Sequence, residues 1–353
     1  MENAAKPAYD ALLVVSFGGP ERKEDVIPFL ENVLRGKPVP RERMLEVAGH
    51  YDHFGGKSPI NEQNRALIRA LEESFAAAGP KLPVYWGNRN WHPLLSDTLR
   101  RMADDGVRRA LAFVTSAFSS YSGCRQYLEN IADAWRAVGD RAPQIDKLRG
   151  FFNHPGFIAA VSDRVREAFD RLPPERRATA ALIYTAHSIP QAMVERCQYE
   201  AQLAEACRLV SDSLGHDRWR LAYQSRSGPP SQPWLEPDIC DELRRLAAEN
   251  VRDVVVVPIG FISDHLEVVY DLDTQAKAVA DGLALGFVRA ATVGVHPGFI
   301  EMVRELARER LEPGSARRTL GLMPPCPDVC LADCCLPTNP ESVVASRVPV
   351  DYD

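Results

Sequence analysis

The run ALLVVSF at residues 11–17 is apolar at nearly every position and stops at Gly18-Gly19-Pro20. A strand without polar alternation must be covered on both faces, and a parallel sheet wrapped by helices provides that cover. The pattern recurs. LPVYWGN (82–88) precedes a helix near 93–105, and RALAFVTSAF (109–118) precedes another from about 123 to 138. KEDVIPFLENVL, FFNHPGFIAAVSDRVREAFDRL and EPDICDELRRLAAEN read as helices. ATAALIYTAHS, RWRLAYQSR, VRDVVVVPIGF and GFVRAATVGV read as further strands.

About four strands fall in each half, and the helix at 151–172 joins the halves. The expected fold class is α/β: two doubly wound, Rossmann-like parallel-sheet domains with a ligand cleft at the carboxyl ends of the strands. The expected boundaries are 1–150, 151–315 and a Cys-rich tail at 316–353. Neither GxGxxG nor GxxxxGKS follows the first strand, so nucleotide binding finds no support.

Charge narrows the partners. With 42 Lys plus Arg against 48 Asp plus Glu, the net charge is −6, and no basic field for nucleic acid exists. MENAAKPAYDALLVVSFGG lacks a basic segment followed by an apolar stretch, and no run of about 18 apolar residues occurs. A cytoplasmic protein without a transmembrane segment is expected. In that compartment PPCPDVCLADCC (324–335), with four of the eight cysteines, is more often a metal or cluster site than a disulfide framework. Inert thiols and disulfides remain open, although a Cys334–Cys335 ring would be strained. Cys197, Cys207 and Cys240 read as small hydrophobes of helices.

Polar residues directly after the strands line such a cleft. Six ends stand out: SFGGP (16–20), GNRNW (87–91), TSAFSSYSGCRQY (115–127), TAHSIP (185–190), YQSRSGPP (223–230) and, most informative, PIGFISDHLEVVYDLD (258–273). The last opens a helix at Ser263 or Asp264, both good caps. Glu267, Asp271 and Gln275 then fall at i, i+4 and i+8, along one helix face. Such a face is otherwise a solvated one, and His187 otherwise a core imidazole. An imidazole and carboxylates from facing strand ends favour a site for protons or a divalent cation.

These strand ends resemble those of the ferrochelatases, the metal-inserting enzymes of haem synthesis. TAHSIP resembles the family's histidine motif and GFISDHLEVVYDLD its glutamate motif, with HFGGKSPIN (53–61), GNRNW (87–91) and QSRSGPPSQPWLEP (224–237) in the same order. The likeness covers roughly residues 9–310. It implies insertion of Fe²⁺ into a porphyrin in the interdomain cleft, with His187 and Glu267 catalytic, contacting the iron and facing one another across the macrocycle. Gln275 departs from the carboxylate of many relatives, and Phe17 stands where a Tyr is usual.

FLENVLRGKPVP and SSYSGCRQY resemble the actinobacterial-type branch, which implies coproporphyrin III, with Phe17, Arg35, Tyr51, Ser58 and Tyr127 lining the substrate side. Residues 21–40 carry Pro and charges rather than an apolar membrane-facing lip. A protoporphyrin IX ferrochelatase, a cobalt chelatase and a non-catalytic tetrapyrrole carrier are the alternatives. Some relatives bind a 2Fe–2S cluster through three C-terminal cysteines and one from the body. The resemblance assigns these to Cys326, Cys330, Cys335 and Cys124, with Cys334 competing for the last place and zinc as the rival metal. A monomer is expected.

Overall fold

The computed structural model describes residues 9–338 apart from 37, 38, 230 and 313. The expected N-terminal start and the last part of the expected tail domain, 339–353, lie outside the described residues. The first half runs β1 (Ala11–Ser16), α1 (Val26–Leu34), α2 (Arg41–Asp52), α3 (Ile60–Ala78), β2 (Val84–Asn88), α4 (Leu95–Asp104), β3 (Arg109–Val114), α5 (Gln126–Val138) and β4 (Gln144–Lys147). The second runs α6 (Pro155–Asp170), α7 (Pro174–Arg177), β5 (Ala181–His187), α8 (Gln191–Val194), α9 (Tyr199–Leu214), β6 (Trp219–Gln224), α10 (Ile239–Ala248), β7 (Asp253–Val257), α11 (Leu266–Tyr270), α12 (Lys277–Gly282), β8 (Gly286–Arg289) and α13 (Pro297–Leu311).

Each half holds one four-stranded sheet, ordered β2-β1-β3-β4 and β6-β5-β7-β8, and every pairing is parallel. The two-residue alternation of a strand explains the cores. Ala11, Leu13 and Val15 pack under α4 and α5, whereas Leu12 and Val14 point the other way. That second face joins a core shared with α3, α6, α9, α13 and the inner face of the other sheet. The two halves are therefore welded by apolar packing behind the strand ends. No helix among the described residues is long and apolar enough to cross a membrane.

Three local readings change. Strand β4, QIDK, has no apolar run and escapes pattern reading, yet it pairs with β3 at the sheet edge. The helix after β7 starts at Leu266, with His265 as its cap: its Nδ1 accepts from the Glu267 amide at 3.1 Å, so neither Ser263 nor Asp264 caps it. Cys197 lies between α8 and α9 rather than in a helix.

Candidate active site

His187 ends β5, where buried Ala181–Ala186 give way to a partly exposed ring. Its Nδ1 donates to the Ser188 carbonyl at 2.5 Å. A neutral imidazole that donates from Nδ1 presents a lone pair at Nε2. The Tyr199 hydroxyl donates to the His187 carbonyl at 3.0 Å and fixes the strand end. Glu267 follows in the first turn of α11, whose start is held by Gln224 of β6 donating to the Glu267 carbonyl at 2.9 Å.

The two functional groups meet. His187 Nε2 lies 3.6 Å from Glu267 Oε2, and the two side chains keep 32% and 52% of their surface exposed. Two electron-pair donors pointed at one spot repel unless a proton or a cation sits between them. The spacing also corrects the expected arrangement. A macrocycle between them would need van der Waals contact on both sides, roughly 7 Å in all. At the 3.6 Å spacing no macrocycle fits between the two groups.

Behind the pair, α11 passes into a π-helical stretch, Asp271–Ala276. Its wider turn breaks the expected single face: Asp271 is part-buried, whereas Glu267 and Gln275 are exposed. Burial pushes the Asp271 carboxyl up to about 7, against the Ser225 hydroxyl, which donates to it, and with the Glu267 charge. Ser225 holds a left-handed backbone, φ 64°, to make that bond. His265 is shifted down by its burial.

The first half supplies the other wall. Phe17 follows β1, 36% exposed, with its ring edge-on to Phe29 at 6.2 Å, and Phe29 in turn meets Tyr51 and Trp91. Gly18, φ 81°, turns the chain where a Cβ would strike Asn88 at 2.9 Å, so the loop needs glycine on both counts. Three expected contacts are buried in this packing: Tyr51, Ser58 and Tyr127 are 6%, 2% and 5% exposed. Arg35 is exposed and donates to Asn32 at 2.5 Å.

Arg89, within GNRNW but not singled out in the sequence, sits among them. Its guanidinium lies 4.4 Å over Tyr127 and 5.6 Å from the Phe17 ring, and it donates to Asn130 and to the Ser122 carbonyl. All four of these partners are neutral. A cation at a strand end was the available signal. The lip crosses to the second half: His50 of α2 stacks on Tyr270 of α11 at 3.9 Å and 13°, and the Asp264 amide donates to Gln63 at 2.8 Å.

The cysteines gather elsewhere. Cys124, Cys197, Cys326, Cys330, Cys334 and Cys335 line one cavity of about 550 Å³ with Lys147 and Gln202. Cys326 approaches so closely that a Cβ at Gly150 would stand 2.9 Å from its Sγ. Cys124 and Cys330 share a hydrogen bond that pulls the first thiol down and pushes the second up. The tail is clamped by Arg125, donating to the carbonyls of Ala332 (2.7 Å) and Cys334 (3.3 Å), and by Arg196, donating to Pro337 at 2.7 Å. Among the described residues no three His, Cys, Asp or Glu side chains converge tightly enough to hold a single ion.

The sequence profile of the ferrochelatase family matches residues 9–311. The chain is 55% identical to the ferrochelatase of Rhodopirellula baltica, over 98% of both chains. It is 50% identical to the coproporphyrin III ferrochelatase of Streptomyces griseus over 98% of both, and 53% to that of Nocardia farcinica over 90% of this chain and 92% of that one. Among solved structures, a multi-domain Deinococcus radiodurans protein with structural similarity to chelatases aligns with TM-score 0.53 at 17% identity, over 86% of this chain and 55% of that one. The sirohydrochlorin chelatase SirB from Bacillus subtilis aligns with TM-score 0.50 at 12% identity, over 88% and 99%. At these identities the likeness to solved structures is one of fold.

Proposed function

The chain belongs to the ferrochelatase family, and from that premise we propose that it inserts Fe²⁺ into coproporphyrin III to give coproheme. The observation that carries the reading is the His187–Glu267 pair, an imidazole lone pair and a carboxylate 3.6 Å apart at the strand ends. Insertion must remove two pyrrole protons and strip water from the incoming iron. His187 Nε2 accepts a proton or holds the substrate iron, and Glu267 takes the next position on the same side of the ring. Asp271, shifted to about 7, can hold or release a proton at neutral pH and passes it on toward solvent. Gln275 takes no part, because an amide does not accept the proton.

The other face of the macrocycle meets Phe17, with Phe29 and Trp91 behind it. Arg89 is the cation for a propionate, its present partners all being neutral. Tyr51, Ser58 and Tyr127 shape this wall from within rather than offering exposed donors.

The proposal includes a 2Fe–2S cluster held by Cys124, Cys326, Cys330 and Cys335, with Cys334 as rival for the last place. What supports it is the donor set: these thiols surround a cavity instead of converging on one point, which suits a polynuclear group better than a tetrahedral zinc. When bound, such a cluster would supply one-electron chemistry and link the tail to the turn before α5. No step of metal insertion runs through it. We take the enzyme to be a cytoplasmic monomer of two sheet domains, 1–150 and 151–315, with the tail at 316–353; sedimentation checks the monomer.

The test is anaerobic incubation of the purified protein with Fe²⁺ and either coproporphyrin III or protoporphyrin IX, following the Soret and visible bands. Protoporphyrin IX lacks two carboxylates. Losing two charge-assisted contacts of about 1.5–3 kcal/mol each lowers kcat/KM by roughly two to four orders of magnitude. Equal kcat/KM would overturn the coproporphyrin assignment, and no insertion into either would overturn the whole reading.

A further inference from the structure

Lys147 closes β4 with its side chain in the wall of the thiol cavity, and metal insertion does not use it. An ammonium withdrawn from water needs compensating charge or acceptors. Its Nζ donates to the Leu148 carbonyl at 3.1 Å, which is a neutral partner. The carboxylate next to it in sequence is engaged elsewhere: Asp146 accepts from Arg109 at 2.5 Å and from the Tyr9 hydroxyl at 2.6 Å. The two carboxylates of the cavity wall, Glu195 and Asp333, are exposed. What shares the cavity wall with the ammonium is sulfur, from Cys124, Cys326 and Cys330. Thiolates holding a bound cluster would supply the compensating charge that the neutral Leu148 carbonyl does not.

We propose that Lys147 is the internal counter-charge of the cysteine site, donating to thiolate ligands and raising the reduction potential of a bound iron–sulfur cluster. The inference rests on the cluster reading and adds to it the residue that tunes the site. Net charge and hydrogen bonds to sulfur are the levers by which a protein sets such a potential. One-electron reduction by an external donor such as dithionite would add one negative charge at the site. A positive charge close to the ligands stabilises the reduced, more negative form. Arg125, by contrast, is paired with Glu129 and donates to the tail carbonyls, and Arg196 donates to the Pro337 carbonyl.

The experiment uses the full chain, purified anaerobically, as wild type, Lys147→Met and Lys147→Arg. Iron and acid-labile sulfide are assayed, and the visible and electron-paramagnetic signals are followed through a dithionite titration. Wild type and Lys147→Arg should carry iron and sulfide in equal amounts and share one midpoint. Lys147→Met should keep the cluster and reduce at least tenfold less favourably, a midpoint lower by about 59 mV for one electron. If the Met variant loses the cluster while the Arg variant keeps it, the requirement for charge stands. Loss in both variants would show that side-chain fit matters and would overturn the proposal. An unchanged midpoint in Lys147→Met overturns the role of Lys147 and leaves the cluster reading intact. Absence of iron and sulfide from the wild type overturns the cluster reading, and this inference with it.

Discussion

His187 and Glu267 hold their geometry through neighbours that do no chemistry: the Ser188 carbonyl, the Tyr199 hydroxyl and the Gln224 amide. Glu267→Gln keeps the shape of α11 and removes only charge. Its turnover should fall on the order of 10²–10⁴-fold, the usual worth of a positioned acid–base group. Thermal unfolding measured alongside should stay near wild type, and loss of folded protein would assign Glu267 to structure instead. Asp271 adds a pH dependence. Its folded pKa is raised from 3.8 to about 7, chiefly by burial, so the folded state binds its proton more tightly than the unfolded one. The stability this adds is complete below about pH 4 and is lost as pH rises through about 7. Asp271→Asn should flatten the stability curve over that window in denaturant titrations at several pH values. A wild-type slope in the variant would show that another group carries it.

The elements that matter most are the irregular ones. The π-helical stretch at Asp271–Ala276 turns Asp271 inward toward Ser225 while Glu267 stays at the cleft. Across the cleft, α2 rests on α11 through the His50–Tyr270 stack and through Tyr51 and Leu266 in one small apolar cluster. An aromatic pair is worth about 0.5–1.5 kcal/mol beyond its burial. Tyr270→Ala should therefore speed amide exchange across residues 41–52 by roughly two- to tenfold, read by hydrogen exchange with mass spectrometry. Exchange unchanged in α2 would mean that the apolar cluster alone holds the lip.

At the scale of the whole molecule, the tail and both halves meet at Arg149. Its guanidinium is 1% exposed, donates to Glu309 of α13 at 2.7 and 2.8 Å, and reaches the Arg318 carbonyl at 3.0 Å. Removing one partner of a buried pair leaves the other uncompensated, so Arg149→Met should cost about 3–5 kcal/mol. The double variant with Glu309→Leu should recover most of it, and equal losses in single and double variants would argue against a coupled pair. The sequence alone determined the layered α/β class, because continuous apolar strands followed by amphipathic helices admit few other folds. It also determined that His187 ends a strand, that Glu267 follows the end of another, and that four cysteines cluster in the tail, since motif and spacing are properties of the chain. Only the tertiary structure decided that His187 and Glu267 stand 3.6 Å apart, that α11 widens into a π turn, and that Tyr51, Ser58 and Tyr127 are packed away. It also brought Cys197 and Lys147 to the tail thiols and put Arg89 against Phe17 and Tyr127. Those facts depend on distances between residues far apart in sequence, which packing sets and local pattern does not encode.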